Sequence, residues 1–291
     1  MSADVKTFQH QFTEFWDGHT GISFGVTDLL HTAESEYQKL MVVETDTFGR
    51  LMLLDGLVML TERDEFVYHE MISHPALCLH PDPRRVLIIG GGDGGTAREV
   101  LRHASVESVD MVEIDGNVVE AARRFFPTVA SALDDPRLNV RIEDGLAFVK
   151  NAPAGAYDLV LVDSTDPVGF AEGLFGKDFY QDCVRILADD GILVSQTESP
   201  FDTAFQHQIG SAHGLLGGLF AHVAFYLAHI PTYPMGTWSF VMASKAKHPS
   251  ADFDADTARA RLAPFMADLR YYNADLHAGA FALPTFVQRL F

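Results

Sequence analysis

Val86–Ile89 is a short, fully apolar run that enters Gly90-Gly91-Gly92-Asp93-Gly94-Gly95 and leaves as a helical pattern, Thr96–His103. No other stretch narrows the possible folds as much. An apolar run without alternation suits a strand buried on both faces. Gly90, Gly92 and Gly95 satisfy G-x-G-x-x-G, where missing side chains let the backbone turn tightly and let a nucleotide ligand come close. Strand and helix patterns keep alternating through Val109–Ile114, Val118–Phe126, Asn139–Ile142, Leu146–Lys150, Leu159–Val162, Tyr180–Leu187, Ile192–Ser195 and Ala204–Phe220. This predicts an α/β fold with a parallel sheet covered by helices on both faces. Two late runs, Ala224–Ala228 and Ser239–Ala243, are expected to close one edge as an antiparallel pair.

The chain before this region reads differently. Lys39–Glu44 and Arg50–Leu54 are short apolar runs, and Asp55-Gly56 then separates Leu51–Leu54 from Leu57–Leu60. Asp-Gly is a strong hairpin signal because both turn residues must tolerate positive φ. A length of 291 residues suits one large or two modest domains, at roughly 150 residues per domain. We expect a small antiparallel β domain over 1–65 and the larger domain over 66–291. Glu65–Leu79 has helical spacing and is ended by Pro81 and Pro83.

Forty acidic residues against twenty-one basic ones give a formal net charge of −19. That balance argues against gripping nucleic-acid phosphates. It would draw cations inward, whether metal ions or organic ammonium compounds, or simply keep the protein soluble. Cys78 and Cys183 cannot make a disulfide scaffold or a multi-cysteine zinc site. Met1–Trp16 lacks the apolar core of a signal peptide, and no stretch approaches ~18 uncharged apolar residues. A cytoplasmic protein with no membrane segment is expected. His69 and His74 are five apart, so on a helix they diverge by about 140° and do not form a zinc pair.

Within the glycine loop, the carboxylate of Asp93 would repel a pyrophosphate and welcome an ammonium group, although an aspartate there can equally cap the next helix. Glu113 ends the following strand, where an acidic group can bind both hydroxyls of a ribose. Asp144-Gly145 and Asp163-Ser164-Thr165-Asp166-Pro167 follow later strands at the carboxyl edge, where α/β sheets bind ligands. Asp163 and Asp166 beside a cationic ligand could hold and deprotonate an amine. Both stretches also fit ordinary capped turns.

The glycine loop with Arg98-Glu99 after it resembles the signature of the spermidine synthases. So do Leu54-Asp55-Gly56, Thr61-Glu62-Arg63-Asp64-Glu65-Phe66, Tyr68-His69-Glu70-Met71, Asp163–Pro167 and Ile230-Pro231-Thr232-Tyr233. Arg270-Tyr271-Tyr272-Asn273 and Ala280–Pro284 are similar to the bacterial members, and the likeness runs in order along essentially the whole chain. The resemblance implies a Rossmann-like, methyltransferase-type domain behind a small amino-terminal β domain, in a homodimer or homotetramer. It implies transfer of a 3-aminopropyl group from decarboxylated S-adenosylmethionine to a diamine, usually putrescine, giving spermidine and methylthioadenosine. Carried over by position, Gln38 would contact the donor nucleoside, Glu113 its ribose, and Asp144 and Gly145 the adenine. Asp93 would hold the aminopropyl ammonium, with Tyr68, His69, Asp166 and Tyr233 lining the amine channel and Asp163 accepting the proton. Neither a cofactor nor a metal is expected, since a sulfonium is already an activated leaving group. Two positions depart from the family pattern, Met59 where a glutamine is common and Phe170 where a proline is common. The second falls in an expected lid, Ser164–Phe175, with Gly169 and Gly173 as flexible points. A methyltransferase shares the expected fold, and a catalytically silent polyamine-binding protein would share the site.

Overall fold

Asp55 and Gly56 have φ of 50° and 87°, the geometry that a two-residue hairpin needs to follow the twist of its strands. In this computed structural model, which describes residues 10–16, 18–165, 173–203 and 205–291, that hairpin is the last turn of an antiparallel meander. Its strands are β1 (His10–Phe15), β2 (Gly21–Glu34), β3 (Lys39–Thr45), β4 (Gly49–Leu54) and β5 (Leu57–Thr61), in the order β1-β2-β3-β4-β5. The long strand β2 gives little sign of itself in the sequence. Phe24 is its one fully buried residue, and polar and partly exposed side chains occupy both its faces, so the period-2 apolar pattern is missing.

Helix α1 (Glu65–Leu79) follows, then the alternating series β6 (Arg85–Gly90), α2 (Gly95–Leu101), β7 (Ser108–Glu113), α3 (Gly116–Phe125), β8 (Leu138–Ile142), α4 (Gly145–Asn151), β9 (Tyr157–Asp163), α5 (Lys177–Ile186), β10 (Leu187–Glu198) and α6 (Gln206–Gly217). The hairpin β11 (His222–His229) and β12 (Thr237–Ser244) comes next. The seven strands lie in the order β11-β12-β10-β9-β6-β7-β8. Pairs from β8 to β10 are parallel, whereas β12 runs antiparallel to both β10 and β11. The late hairpin therefore closes one edge as expected, with its second strand inserted next to β10.

Burial explains why these strands read as unbroken apolar runs. Val86, Ile88, Leu159, Leu161, Ile192 and Val194 point into one core with α1, α2 and α3. Their neighbours Leu87, Ile89, Val160, Val162 and Leu193 point into a second core with α4, α5 and α6. A parallel sheet covered on both faces has no solvent side on which to place polar residues. Leu40, Val42, Met52, Leu54 and Leu60 from the amino-terminal sheet join the first core, which sets that sheet beside the carboxyl edge of the larger one.

The carboxyl-terminal segment, α7 (Ala255–Leu262), α8 (Ala274–Ala280) and α9 (Thr285–Gln288), folds back onto α1. The buried Glu70 carboxylate accepts hydrogen bonds from the backbone N–H groups of Arg270, Tyr271 and Tyr272 at 2.8, 2.9 and 2.7 Å. Arg261 donates to the carbonyls of Leu77, His80 and Pro81 at the far end of α1. At its near end, Asp64 accepts from Thr61 at 2.6 Å and from the Thr232 hydroxyl at 2.8 Å. Helix α1 is thus held at both ends. Among the described residues, no helix is long and apolar enough to cross a membrane.

Candidate active site

Strand order reverses between β6 and β9, so the loops leaving their carboxyl ends diverge and open a crevice. Gly90 and Asp163 are register partners there, and the Gly91 N–H donates to the Asp163 carbonyl at 2.8 Å. Gly90 has φ 82°, and a Cβ on it would strike that same carbonyl. A Cβ on Gly92 would lie 2.7 Å from Glu113 Oε2. The missing side chains therefore serve the protein's own groups first, by letting β9 and Glu113 close on the loop.

Above this loop lies a cavity of about 480 Å3, lined from both sheets. Gln38, Asp93, Glu113, Asp144, Gly145, Tyr68, His69, Asp163 and Tyr233 all line it. Asp166 and Phe170 lie outside the described residues, as does much of the expected lid. Eight described lining residues are acidic, none is Lys or Arg, and His69 is the basic one. Eight of the chain's forty acidic residues thus meet at one concave surface, which favours a cationic ligand.

One end of the cavity carries Gln38, Glu113, Asp144 and Gly145. Glu113 is buried, and its two oxygens accept from the N–H groups of Gly92 at 3.1 Å and Asp115 at 2.9 Å. Burial outweighs those two donors and pushes the Glu113 carboxyl up to about 7. Gln38 donates to Asp115 at 3.1 Å, so the amino-terminal sheet meets the start of α3 beside Glu113. Asp144 caps α4 by accepting from the Leu146 N–H at 2.8 Å. Gly145 is buried, where a Cβ would lie 2.8 Å from Ile89.

The other end holds two carboxylates in different surroundings. Asp93 accepts from the Gly95 N–H at 2.7 Å and faces the His69 imidazole at 3.3 Å. One oxygen thus caps the start of α2, and the other meets the His69 side chain. Burial opposes ionisation of Asp93, but the adjacent His69 charge and hydrogen bond lower its pKa below the ordinary value. Asp163 accepts from the Thr96 hydroxyl at 2.7 Å, with Tyr68 as a further partner. Removal from water, and then the Asp93 charge, raise its pKa. The Tyr68 ring lies tilted against Tyr233 with centroids 5.8 Å apart, and the Tyr233 hydroxyl donates to the Met59 carbonyl at 2.7 Å. Met59 therefore contributes a backbone acceptor where its side chain brings no polar group.

Glu65, Gln196 and Trp238 also line the cavity, while Thr96 and Asp115 brace its walls. Sequence position alone does not mark them. Thr96 could be suspected only as the residue after Gly95, and Asp115 only as the cap of α3. Gln196 Oε1 and Trp238 Nε1 are buried without a hydrogen-bond partner among the described residues, a pattern found in walls that await a ligand or water.

Residues 65–255 match the spermine/spermidine synthase domain, and residues 11–62 match the spermidine synthase tetramerisation domain. A polyamine aminopropyltransferase of Alkaliphilus metalliredigens is 48% identical over 277 residues, covering 95% of this chain and 96% of that protein. The corresponding protein of Alkalilimnicola ehrlichii is 48% identical over 284 residues, with 96% of each covered. A crystal structure of spermidine synthase with the transition-state analogue AdoDATO superposes with a TM-score of 0.92 at 38% identity, covering 100% of this chain and 98% of that one. Spermidine synthase from Thermotoga maritima gives 0.90 at 37%, covering 100% and 97%. This chain belongs to the spermine/spermidine synthase family.

Proposed function

We propose that this transferase moves the 3-aminopropyl group of decarboxylated S-adenosylmethionine to putrescine, releasing spermidine and S-methyl-5'-thioadenosine. The observation that carries the reading is the pair Asp93 and Asp163, set to opposite acidities at one end of a cavity whose other end suits a nucleoside. The AdoDATO complex of a similar chain supports it, because that ligand is an analogue of a transition state.

Asp93 stays ionised and takes the ammonium at the tip of the aminopropyl chain. Ordinary S-adenosylmethionine adds a carboxylate there, which Asp93 repels, so selection rests on repulsion as well as attraction. Glu113 and Gln38 hold the ribose side, and Asp144 and Gly145 the adenine. Tyr68, His69 and Tyr233 line the path of the diamine. An alkylamine of pKa about 10 must lose a proton before it attacks, an uphill step of about 4 kcal/mol at neutral pH. Asp163 takes that proton, its raised basicity suiting the task. The freed lone pair then attacks the carbon next to sulfur, and the C–S bonding electrons return to sulfur, cancelling its positive charge. No metal or cofactor takes part in these steps. The protein works as a homodimer or homotetramer assembled partly through the amino-terminal sheet, in the cytoplasm.

Product masses decide between transferases. Incubation with the decarboxylated donor and a panel of putrescine, cadaverine and agmatine should add one aminopropyl group, most rapidly to putrescine. Methyl transfer from the ordinary donor would make the protein a methyltransferase, and tight spermidine binding with zero turnover would make it a polyamine-binding protein.

The raised pKa of Glu113 adds a pH dependence. Ribose hydroxyls donate to an ionised carboxylate, so protonated Glu113 binds them poorly. Methylthioadenosine affinity should therefore rise as pH rises through about 7, by up to about tenfold per pH unit below that point, and level off above it. Calorimetric titrations across this range check it; affinity that falls with rising pH would remove Glu113 from the ribose.

A further inference from the structure

Both ring nitrogens of the buried His69 face carboxylates. Nδ1 lies 2.5 Å from Glu65 Oε2, and Nε2 lies 3.3 Å from Asp93 Oδ2. A neutral imidazole has one donor and one acceptor nitrogen, so it would turn a lone pair toward one of these oxygens; only the imidazolium donates to both. Glu65 is itself gripped by Arg98, whose Nη1 and Nη2 donate to its two oxygens at 3.1 and 2.9 Å. Arg98 Nε donates to Glu99 at 2.6 Å, and Glu99 pairs with Arg102 at 2.7 Å, which reaches the exposed Asp268 at 3.2 Å. Charges thus alternate in sign from the surface to Asp93. A Cβ on Gly95 would lie within 2.5 Å of three atoms of the His69 ring, so the last glycine of the motif is what allows α1 and α2 to bring this imidazole to Asp93.

We propose that Glu65 and Arg98 are positioning residues, which hold His69 as an imidazolium against Asp93 and so leave Asp163 as the carboxylate that receives the substrate's proton. The proposal rests on the aminopropyl-transfer reading of the site and explains how two neighbouring carboxylates keep separate roles. Among the described residues, Asp163 is faced by Tyr68 and His69 from α1, by Asp93 and Thr96 from the glycine loop and α2, and by Glu113 from β7. His69 is the one cation in that set, and it sits on Asp93. Without its charge, the Asp93 and Asp163 carboxylates would be left to oppose each other's ionisation. The base would then become available only at higher pH.

Glu65→Gln and Arg98→Met should therefore move the acid limb of the kcat/KM profile for aminopropyl transfer upward by about one pH unit, and Arg98→Lys should restore part of the shift. The substrate-free protein supplies a second readout. Imidazole 15N shifts should show His69 doubly protonated at pH 8 in the wild type, and titrating at lower pH in Glu65→Gln. A uniform fall in rate with an unmoved acid limb in both variants, or a neutral His69 at pH 7 in the wild type, would overturn the proposal. A wild type that transfers no aminopropyl group would instead remove the functional reading, and the 15N shifts would still decide the state of His69.

Discussion

Asp163→Asn is expected to lower aminopropyl transfer by about two to four orders of magnitude, the usual contribution of a positioned general base. The fold should survive the change. The structural bonds of this residue run through its backbone, to the Gly91 N–H at 2.8 Å and along β9 and β6, and asparagine keeps the same shape and an oxygen for the Thr96 hydroxyl. Methylthioadenosine affinity should stay close to wild type, because the residues proposed to hold the nucleoside, Glu113, Gln38, Asp144 and Gly145, are untouched. What asparagine lacks is the ability to take a proton. Single-turnover rates read by product mass separate this chemical loss from weakened binding; a variant that kept more than about a tenth of the wild-type rate would remove Asp163 from the role of base.

Asp93→Ala is expected to act on selectivity as well as rate. Deleting one partner of a buried charge pair typically costs about 3–5 kcal/mol, because the other charge is left uncompensated. Here the donor ammonium would be left without its carboxylate, and the His69 imidazolium, which now faces Asp93 at 3.3 Å, would keep Glu65 alone. We therefore expect kcat/KM to fall by roughly 100- to 1,000-fold, at the lower part of that range because the Asp93 side chain keeps some contact with water. The preference for the decarboxylated donor over the ordinary one should collapse at the same time. Asp93→Asn separates the two jobs of this residue. It can still accept from the Gly95 N–H, sparing the cap, which is worth about 1 kcal/mol, while losing the charge. If calorimetry gave the same affinity ratio for the two donors in wild type and Asp93→Asn, repulsion would play no part in donor choice.

Much of the architecture was legible because its signals are local. The apolar run Val86–Ile89, the glycines after it and the helical spacing of Glu65–Leu79 each depend on residues adjacent in sequence, and each appears in the structure as β6, its loop and α1. Strand β2 was not legible. Its residues are mostly half exposed on both faces, so burial left no alternation to read. The carboxyl-terminal segment was visible only as two motifs, Arg270–Asn273 and Ala280–Pro284, and the first of them meets the remote carboxylate of Glu70.

By itself, the sequence determined the strand–helix alternation, the loops that must be glycine-rich and the acidic residues available at the ends of strands, since these follow from periodicity and local backbone chemistry. Only the tertiary structure decided the surroundings of each acidic residue, and so its acidity. Asp93 and Asp163 are the same residue type, seventy positions apart. One is ionised by an imidazole that α1 carries into the space above Gly95, and the other is made basic by burial and by its neighbour. Acidity depends on the distances to other charges and to water, and packing sets those distances across elements remote in sequence.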